Sequence, residues 1–373
     1  MQPLKGIKIL DFTTLLPGPL ATLVLHDAGA EVIKIEKPGG DELRSSNPKI
    51  NDVSVLFSML NRGKKSIELD LKDSNSRNKL LPLIKSSDIL IEQFRPGIMS
   101  KLGLGWNYIK SINPKIVYCS ITGYGQSGSK KEFAGHDINY MAESGLLSLS
   151  KDSLGRPSIP VTQIADIGAG SYPAVMNIMF ALYNSKKSGQ GSYLDISMFD
   201  NLMPFAWLGL SSGFSSGIFP EDNDLHLNGS THRYNIYKTL DNGFIALGAL
   251  EDKFWFNFCD LINAPTSIRN ETFIPSMLIK KIEKIIVKKN TSHWKKILSK
   301  ETNICCSVVT NLSEAILQKQ VIERNLFKNT LNINGVELSA IPSPIAPELI
   351  KEYSNSPIPS LGEHNHILEE NKK

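Results

Sequence analysis

The sequence predicts an α/β fold, with a doubly wound parallel sheet in a large domain and a smaller α+β domain late in the chain. Three observations lead to this prediction. A strand–helix–strand pattern opens the sequence, strand-like and helix-like segments keep alternating through the N-terminal half, and the pattern changes at a passage rich in Gly, Ser and Asp, 213–229. Such alternation is typical of parallel sheets covered by helices.

The opening segments form a βαβ unit. Residues 6–12 (GIKILDF) are typical of a buried strand, 18–26 of a helix and 31–36 (EVIKIE) of a second strand. The alternation continues with strand-like 66–71, helix-like 74–85, and strand-like 88–94 and 115–122. A long helix-like stretch at 165–184 and a strand at 193–197 follow. The N-terminal half is therefore predicted to be α/β.

A smaller α+β domain is predicted at 225–318. Strand-like segments 234–240 and 244–250 flank an Asp-Asn-Gly turn, which indicates a hairpin, and helices are predicted at 276–289 and 291–299. Residues 1–224 then form the large domain, and 319–373 are expected to pack back on it.

Composition argues against several classes of protein. The chain has 41 basic and 37 acidic residues, a net charge of +4, which gives little support for nucleic-acid binding. Four cysteines without zinc-site spacing indicate reduced thiols and a cytoplasmic location. The N-terminus, MQPLKGIKIL, does not resemble a signal peptide, and no apolar run reaches membrane-spanning length, so neither export nor membrane association is expected.

Motifs for common chemistries are missing. The turn after the first strand, Leu16-Pro17-Gly18-Pro19, lacks the G-x-G-x-x-G pattern that lets a backbone approach a pyrophosphate. No P-loop or G-x-S-x-G pattern occurs, and no combination of His, Cys, Asp and Glu indicates a metal site. These absences disfavour a nicotinamide dehydrogenase, a P-loop enzyme and a serine hydrolase.

Three segments each place one titratable side chain at the boundary of an element. They are AGHDINY with His136, ADIGAG with Asp166 and GALE with Glu251. Each has a structural alternative: Asp166 as an ordinary helix N-cap, His136 as a hydrogen-bonded structural residue, and Glu251 as a solvated loop carboxylate. Residue type and position alone do not choose between these alternatives.

Taken together, the motifs resemble those of the family III CoA-transferase superfamily over nearly the whole chain. The matching segments are LKGIKILDFTTLLPGPLAT, DAGAEVIKIEKPGGD, LNRGKKSIELDLK, FRPGIMSKLGLG, YCSITGYGQSG, SGQGSYLDISMFD and LGEHNHIL. Within the superfamily, AGHDINY is similar to the 2-methylacyl-CoA racemase branch. The resemblance implies an isomerase that interconverts (R)- and (S)-2-methylacyl-CoA thioesters by 1,1-proton transfer through an enolate.

The resemblance also implies roles for the three titratable residues. His136 and Asp166 are expected to exchange protons with opposite faces of the α-carbon, and Glu251 is expected to pair with the histidine. Backbone N–H groups of 167–170, at the start of a helix, are expected to stabilise the enolate oxygen. Neither a metal nor a redox cofactor is expected, because coenzyme A is part of the substrate.

For coenzyme A, the resemblance indicates Lys37, the run Leu69-Asp70-Leu71, and Arg95. It also assigns Gly135, Asp137 and Tyr140, beside the histidine, to these contacts. The resemblance further implies a Rossmann-like large domain and an interlocked homodimer. The acyl group remains open.

Two other functions are consistent with the same sequence. A family III CoA-transferase would use Asp166 as a nucleophile and pass through an aspartyl-CoA thioester, although His136 and Glu251 would then lack a purpose. A non-enzymatic acyl-CoA-binding protein would need none of the three titratable residues.

Overall fold

The computed structural model describes residues 2–152, 154–221, 225–352 and 355–370. The chain forms two compact units. The larger comprises Met1–Ser144, Pro160–Pro204 and Glu323–Lys373, and the smaller comprises Gly145–Ile159 and Phe205–Ile322. The two units are thus each built from separate stretches of the sequence. The domain boundaries predicted at 225 and 318 remain a prediction.

The strands run in chain order through both units. They are β1 (Lys8–Phe12), β2 (Glu31–Glu36), β3 (Lys49–Ile50), β4 (Val53–Ser54), β5 (Lys65–Glu68), β6 (Ile89–Glu92), β7 (Val117–Thr122), β8 (Ser192–Ser197), β9 (Tyr234–Lys238), β10 (Phe244–Gly248), β11 (Cys306–Val308), β12 (Thr330–Ile333) and β13 (Val336–Ser339).

The α-helices are mostly short. They are α1 (Pro17–Asp27), α2 (Val55–Asn61), α3 (Ser74–Asn78), α4 (Leu81–Ser86), α5 (Ile98–Lys101), α6 (Trp106–Ile112), α7 (Asp137–Glu143), α8 (Tyr172–Ser188), α9 (Trp207–Ser216), α10 (Asp252–Leu261), α11 (Thr266–Arg269), α12 (Pro275–Ile286), α13 (Thr291–Leu298), α14 (Leu312–Ala315), α15 (Lys319–Glu323) and α16 (Ile367–Glu370). A π-helix, Ile164–Ser171, precedes α8. Among the described residues, none of these helices has the length and apolarity needed to cross a bilayer.

The larger unit is organised around a six-stranded sheet. Its strand order is β5-β2-β1-β6-β7-β8, and every neighbouring pair is parallel. β2 and then β5 lie on one side of β1, and β6, β7 and β8, which follow later in the chain, lie on the other side. The reversal lies between β1 and β6, and ligands of open parallel sheets usually bind at the carboxyl ends of the strands beside such a reversal.

Buried charges lie beneath the carboxyl end of β1. The Asp11 carboxylate pairs with Lys64, whose Nζ is 3.2 Å away, and both side chains are fully buried. Lys34 Nζ donates to the carbonyl oxygen of Thr13 over 2.7 Å. Although burial favours the neutral acid, Lys64 and Lys34 lower the pKa of Asp11 to about 2. These contacts fix the backbone where the chain leaves β1.

A distant stretch of chain lies along β5, at one edge of the sheet. The backbone N–H of His364 donates to the carbonyl oxygen of Ser66, and the Asn365 side chain accepts from the Glu68 N–H. Gly362 N also donates to the Ser66 hydroxyl oxygen over 3.1 Å. The polar edge of β5 is therefore covered by residues almost 300 positions later in the sequence.

The smaller unit contains an antiparallel sheet with the order β11-β10-β9. Its β9–β10 hairpin turns at Asn242, whose φ of +62° is the left-handed conformation expected for an Asn-Gly turn. A separate apolar core, including Trp255, Phe258 and Ile282, packs beneath the strands. This unit has its own core.

The α/β class and the central parallel sheet are confirmed. The predicted helix at 74–85 is interrupted, however, because α3 ends at Asn78 and α4 begins at Leu81, with Pro82 in its first turn. Proline lacks a backbone N–H and fits the start of a helix better than its interior. The interlocked homodimer remains a prediction.

Candidate active site

A cavity of about 470 Å³ lies in the larger unit at the carboxyl ends of the parallel strands. Segments that follow β1, β6 and β7 all contribute to it, so the cavity occupies the reversal between β1 and β6. The lining residues with polar or charged side chains are Thr14, Gln93, Arg95, Thr122, Lys131, His136, Asn139, Tyr140 and Asp166. Two of the three predicted catalytic residues, His136 and Asp166, thus line the same cavity.

His136 lies at the N-cap of α7, as the sequence predicts. Its backbone N–H donates to Asn139 Oδ1 over 3.0 Å, and its carbonyl oxygen accepts from the Asn139 N–H at 2.8 Å. The residue is exposed and its φ of −122° is extended, which directs the chain into the helix. The backbone of His136 is therefore fixed, while the imidazole meets the cavity and solvent.

Asp166 lies in the first turn of the π-helix Ile164–Ser171, whose N-cap is Gln163, so Asp166 is not a helix N-cap. The hydroxyl of Ser171, which is fully buried, contacts both the Asp166 carbonyl oxygen at 3.1 Å and the Pro17 carbonyl oxygen at 2.7 Å. Ile167 N donates to the Gln163 carbonyl oxygen, so Ile167 does not offer the free N–H predicted for an enolate oxygen. π-Helices are rare and occur frequently at functional sites.

Asp137 connects the two segments that carry His136 and Asp166. Its Oδ1 accepts from the backbone N–H groups of Ala165 and Asp166, over 2.6 and 3.0 Å. Burial, and then the nearby Asp137 carboxylate, raise the pKa of Asp166 to about 6, and His136 opposes the shift. The proton affinity of Asp166 is thus set by its surroundings, and Asp137 orders the backbone that carries it.

Tyr140 is held in a narrow slot on α7. Its hydroxyl donates to the Gly135 carbonyl oxygen over 2.5 Å, and only 5% of the residue is exposed. A Cβ atom at Gly123 or Gly135 would lie 2.5 or 2.6 Å from the Tyr140 ring, which is closer than Cβ atoms approach other heavy atoms in proteins. Burial, and then the Asp166 charge, raise the pKa of Tyr140 to about 12. The two glycines therefore make room for the ring.

The predicted coenzyme A contacts follow neighbouring strand ends. Arg95 is exposed and lines the cavity after β6. Lys37 follows β2 and pairs with Glu42, which lowers the pKa of that carboxyl group through a hydrogen bond. The run from Leu69 to Leu71 follows β5, with Asp70 Oδ1 accepting from the Lys72 N–H at 2.9 Å. All of these residues lie at the carboxyl edge of the sheet, and their roles remain predictions.

Gly135 and Tyr140 also line the cavity. One carboxylate oxygen of Asp137 accepts hydrogen bonds from the backbone of the π-helix. Glu251 lies in the smaller unit at the N-cap of α10 and is exposed. Its pairing with His136 remains a prediction. Among the described residues, no group of three or more His, Cys, Asp or Glu side chains could hold a metal ion.

Sequence reasoning missed several lining residues, including Thr14, Leu15, Gln93 and Lys131. Gln93 is one residue past β6, and its Oε1 accepts from the Gly18 N–H over 3.0 Å. The position of Gln93 beside the predicted reversal is a signal that could have found it. Lys131 lies in the long loop between β7 and α7, and no local sequence pattern marks it.

Comparisons with known proteins show the family and the fold of the chain. The sequence profile of CoA-transferase family III matches residues 4–365. The chain is 32% identical to human alpha-methylacyl-CoA racemase, over 98% of this chain and 93% of that protein. It is 30% identical to acetyl-CoA:oxalate CoA-transferase of Acetobacter aceti, over 92% of this chain and 90% of that protein. The crystal structure of Rv3272 from M. tuberculosis superposes with a TM-score of 0.85 at 27% identity, covering 99% of both chains.

Proposed function

This chain belongs to CoA-transferase family III, a family of enzymes acting on coenzyme A thioesters, and from that premise we propose that it is a 2-methylacyl-CoA racemase. The observation that carries the proposal is the presence of His136 and Asp166 on one cavity at the sheet reversal. A racemase needs two groups that exchange protons with the same carbon. A nucleophilic transferase needs the aspartate alone.

The proposed reaction is a proton transfer at the carbon next to the thioester carbonyl. One side chain removes the α-hydrogen as a proton, and the electron pair of the broken C–H bond moves into the enolate. The other side chain then delivers a proton to the opposite face of the planar carbon, which inverts the configuration. His136 and Asp166 exchange the parts of acid and base with the direction of reaction, and Glu251 supports the histidine.

The surroundings of Asp166 support this assignment. A carboxyl group with a pKa near 6 holds a proton far more readily than an ordinary aspartate, while still giving it up near neutral pH. Donation and removal are then both accessible to the same residue. The proposed chemistry needs no metal and no redox cofactor.

The coenzyme A part of the substrate serves as the binding handle. We place its phosphates near Lys37 and Arg95, and its chain along 69–71 and beside Gly135, Asp137 and Tyr140. Cationic side chains at the carboxyl edge of a parallel sheet suit an anionic cofactor-like group. Binding energy from this remote part of the substrate can hold the reacting carbon in place. The four cysteines are all free, in keeping with the proposed cytoplasmic location.

The alternative is a CoA-transferase, favoured by the relative named as an oxalate transferase. Asp166 would attack the thioester carbonyl to give a mixed anhydride and release the coenzyme A thiolate. The thiolate would then attack the aspartyl carbonyl, forming an aspartyl-CoA thioester and freeing the first carboxylate. An added carboxylate would regenerate an acyl-CoA by the reverse steps. In this mechanism His136 moves no α-proton.

We also propose that the enzyme is an interlocked homodimer. On α8, exposed apolar side chains recur at helical spacing: Tyr172, Met176, Met179, Phe180 and Tyr183. A continuous apolar stripe on the exposed face of a helix is typical of a surface that another protein covers. Sedimentation equilibrium should therefore give the mass of a dimer, and a stable native monomer at micromolar concentration would contradict this arrangement.

Deuterium incorporation tests the choice of reaction. Purified enzyme is incubated in deuterium oxide with single-enantiomer 2-methylacyl-CoA, and α-deuterium and chirality are followed by mass spectrometry and chiral chromatography. We expect incorporation together with loss of enantiomeric purity. Racemisation should be lost in both His136→Ala and Asp166→Ala.

The opposite result would identify a transferase. In that case no α-deuterium would enter, and coenzyme A would move to an added carboxylate such as oxalate or succinate. Transfer would depend on Asp166 and survive His136→Ala. Protein trapped by hydroxylamine as the Asp166 hydroxamate would identify the covalent intermediate directly.

A further inference from the structure

Arg233, in the smaller unit, is bound to both neighbours of Glu251. Its Nη1 donates to the Leu250 carbonyl oxygen and to Asp252 Oδ1, each over 2.8 Å. Its Nε donates to Glu271 Oε1 over 2.6 Å. One guanidinium thus connects the residue before Glu251, the residue after it and a carboxylate further along the chain.

Two hydrogen bonds hold the backbone of Glu251 at the start of α10. Its carbonyl oxygen accepts from the N–H groups of Phe254 and Trp255, each at 3.0 Å, which starts α10. Within the described part of the smaller unit, no hydrogen bond or ion pair engages the Glu251 carboxylate. A carboxylate that is carried on a fixed backbone, and that makes no hydrogen bond within the described part of its unit, is suited to a partner outside its own helix.

Arg233 is itself firmly supported. Its side chain is only 16% exposed, and its guanidinium lies 5.4 Å from the ring centroid of Trp255, a buried core residue. The Glu271 oxygen that accepts from Arg233 is also 2.8 Å from Nε2 of His232, which is 6% exposed. Cation–π contact and a shared carboxylate together restrict the guanidinium to one orientation.

We propose that Arg233 is a positioning residue that sets the direction of Glu251 toward its catalytic partner. This inference rests on the proposed function, in which Glu251 supports His136. Arg233 touches no substrate in this role and acts through the Leu250 carbonyl oxygen and the Asp252 carboxylate, on either side of Glu251. A loss of Arg233 should therefore slow proton transfer without weakening acyl-CoA binding.

The geometry requires an arginine. Nη1 and Nε belong to one planar group and donate to different partners. A lysine has a single ammonium nitrogen, which cannot take the place of both donors to the Leu250 carbonyl oxygen and Glu271. Arg233→Lys should consequently restore little of what Arg233→Gln loses.

Kinetics on the full-length enzyme test the proposal, with Arg269→Gln as the matched control. Arg269 also carries an ion pair in the smaller unit, to Asp260, but it does not contact 250–252. We expect Arg233→Gln to lower kcat for α-deuterium exchange by about 10- to 100-fold, with KM changed less than about twofold. Arg269→Gln should stay within about twofold of the parent in both constants. A raised KM with unchanged kcat would overturn the proposal.

A double variant separates positioning from general support of the fold. If Arg233 acts through Glu251, Arg233→Gln should add less than about twofold to the loss caused by Glu251→Gln. Independent, multiplicative losses would contradict the proposal. If Glu251→Gln slows exchange and Arg233→Gln does not, the inference fails while the racemase assignment stands.

Hydrogen exchange gives a readout that does not depend on turnover. Amides of 250–255 should lose protection in Arg233→Gln and keep it in Arg269→Gln, as followed by mass spectrometry of the peptide spanning the start of α10. Unchanged protection in Arg233→Gln would overturn the proposal whether or not the enzyme proves to be a racemase. Absence of exchange chemistry in the parent enzyme, with protection lost as expected, would instead count against the racemase function.

Discussion

The two segments that carry the proposed acid–base pair differ in how the fold holds them. The histidine segment, 134–140, leads into the seven-residue helix α7, and His136 is exposed at the N-cap of that helix. The aspartate segment, Ile164–Ser171, is a π-helix whose backbone is hydrogen-bonded to Asp137 and Ser171. One group meets solvent, and the other is largely enclosed.

The difference shows how two unlike side chains can serve one reversible reaction. A solvent-exposed aspartate is far more acidic than an imidazole, so the two groups would differ greatly in their affinity for the substrate's proton. Burial and the Asp137 charge raise the pKa of Asp166 to about 6, so this carboxyl group can both take up and release a proton near neutral pH. Enclosure is needed for the aspartate, and solvent access is compatible with the histidine.

The largest expected effect comes from removing either proton carrier. His136→Asn and Asp166→Asn should each lower the rate of racemisation by about 10³-fold, because general acid–base catalysis typically contributes 10²- to 10⁴-fold. Each variant should still exchange the α-proton of one enantiomer only, and the two variants should prefer opposite enantiomers. Chiral chromatography of deuterated product measures this preference. The same preferred enantiomer in both variants would show that the two residues do not serve opposite faces.

The same two variants should differ in stability, because only Asp166→Asn is expected to raise the free energy of unfolding. Asp166 has a raised pKa, so the folded state binds its proton more tightly than the unfolded state, and its contribution is favourable at low pH and lost as pH rises through about 6. At pH 8, Asp166→Asn should therefore raise the free energy of unfolding by about 1–3 kcal/mol.

Below pH 4 this gain should vanish, which urea denaturation at several pH values can measure. His136→Asn is the control, and as an exposed substitution it should change stability by less than about 0.5 kcal/mol. A gain for Asp166→Asn that is independent of pH would mean that burial of the charge is not its cause.

Gly135→Ala tests the packing of the histidine segment. The new Cβ would lie 2.6 Å from the Tyr140 ring, so the ring or α7 must shift. Overpacking of this kind costs about 1–3 kcal/mol of unfolding free energy. Combining the change with Tyr140→Ala should give a loss smaller than the sum of the two single losses, as measured by thermal or urea denaturation. Additive losses would show that the ring is not the obstacle.

The smallest effect is expected from Asp137→Asn, which keeps an acceptor oxygen for the π-helix but removes the charge. Without the like charge, the pKa of Asp166 should fall, and the acid limb of the pH–rate profile should move below about 6. The rate at neutral pH should change by less than about tenfold. An unmoved acid limb would mean that burial alone sets the pKa.

Much of the fold could be predicted because local patterns and long-range structure agree. The strand at 31–36 coincides with β2, and the predicted Asn-Gly turn appears in the β9–β10 hairpin at Asn242, which has a positive φ. The π-helix was not predictable, because its extra residue per turn leaves no mark in apolar spacing and because its first N–H groups donate to the distant Asp137 carboxylate. Nor could spacing reveal that a carboxylate 29 positions earlier holds the Asp166 backbone.

The cover over β5 has a consequence for synthesis of the chain. Until residues 360–365 have been made, the backbone groups of Ser66 and Glu68 lack these partners, and one side of the growing sheet is open to other strands. The sheet cannot be finished as the N-terminal half leaves the ribosome. We expect the nascent chain to need protection during nearly 300 residues of further elongation. Chaperone demand in this enzyme thus follows from which part of the sequence lies along one strand.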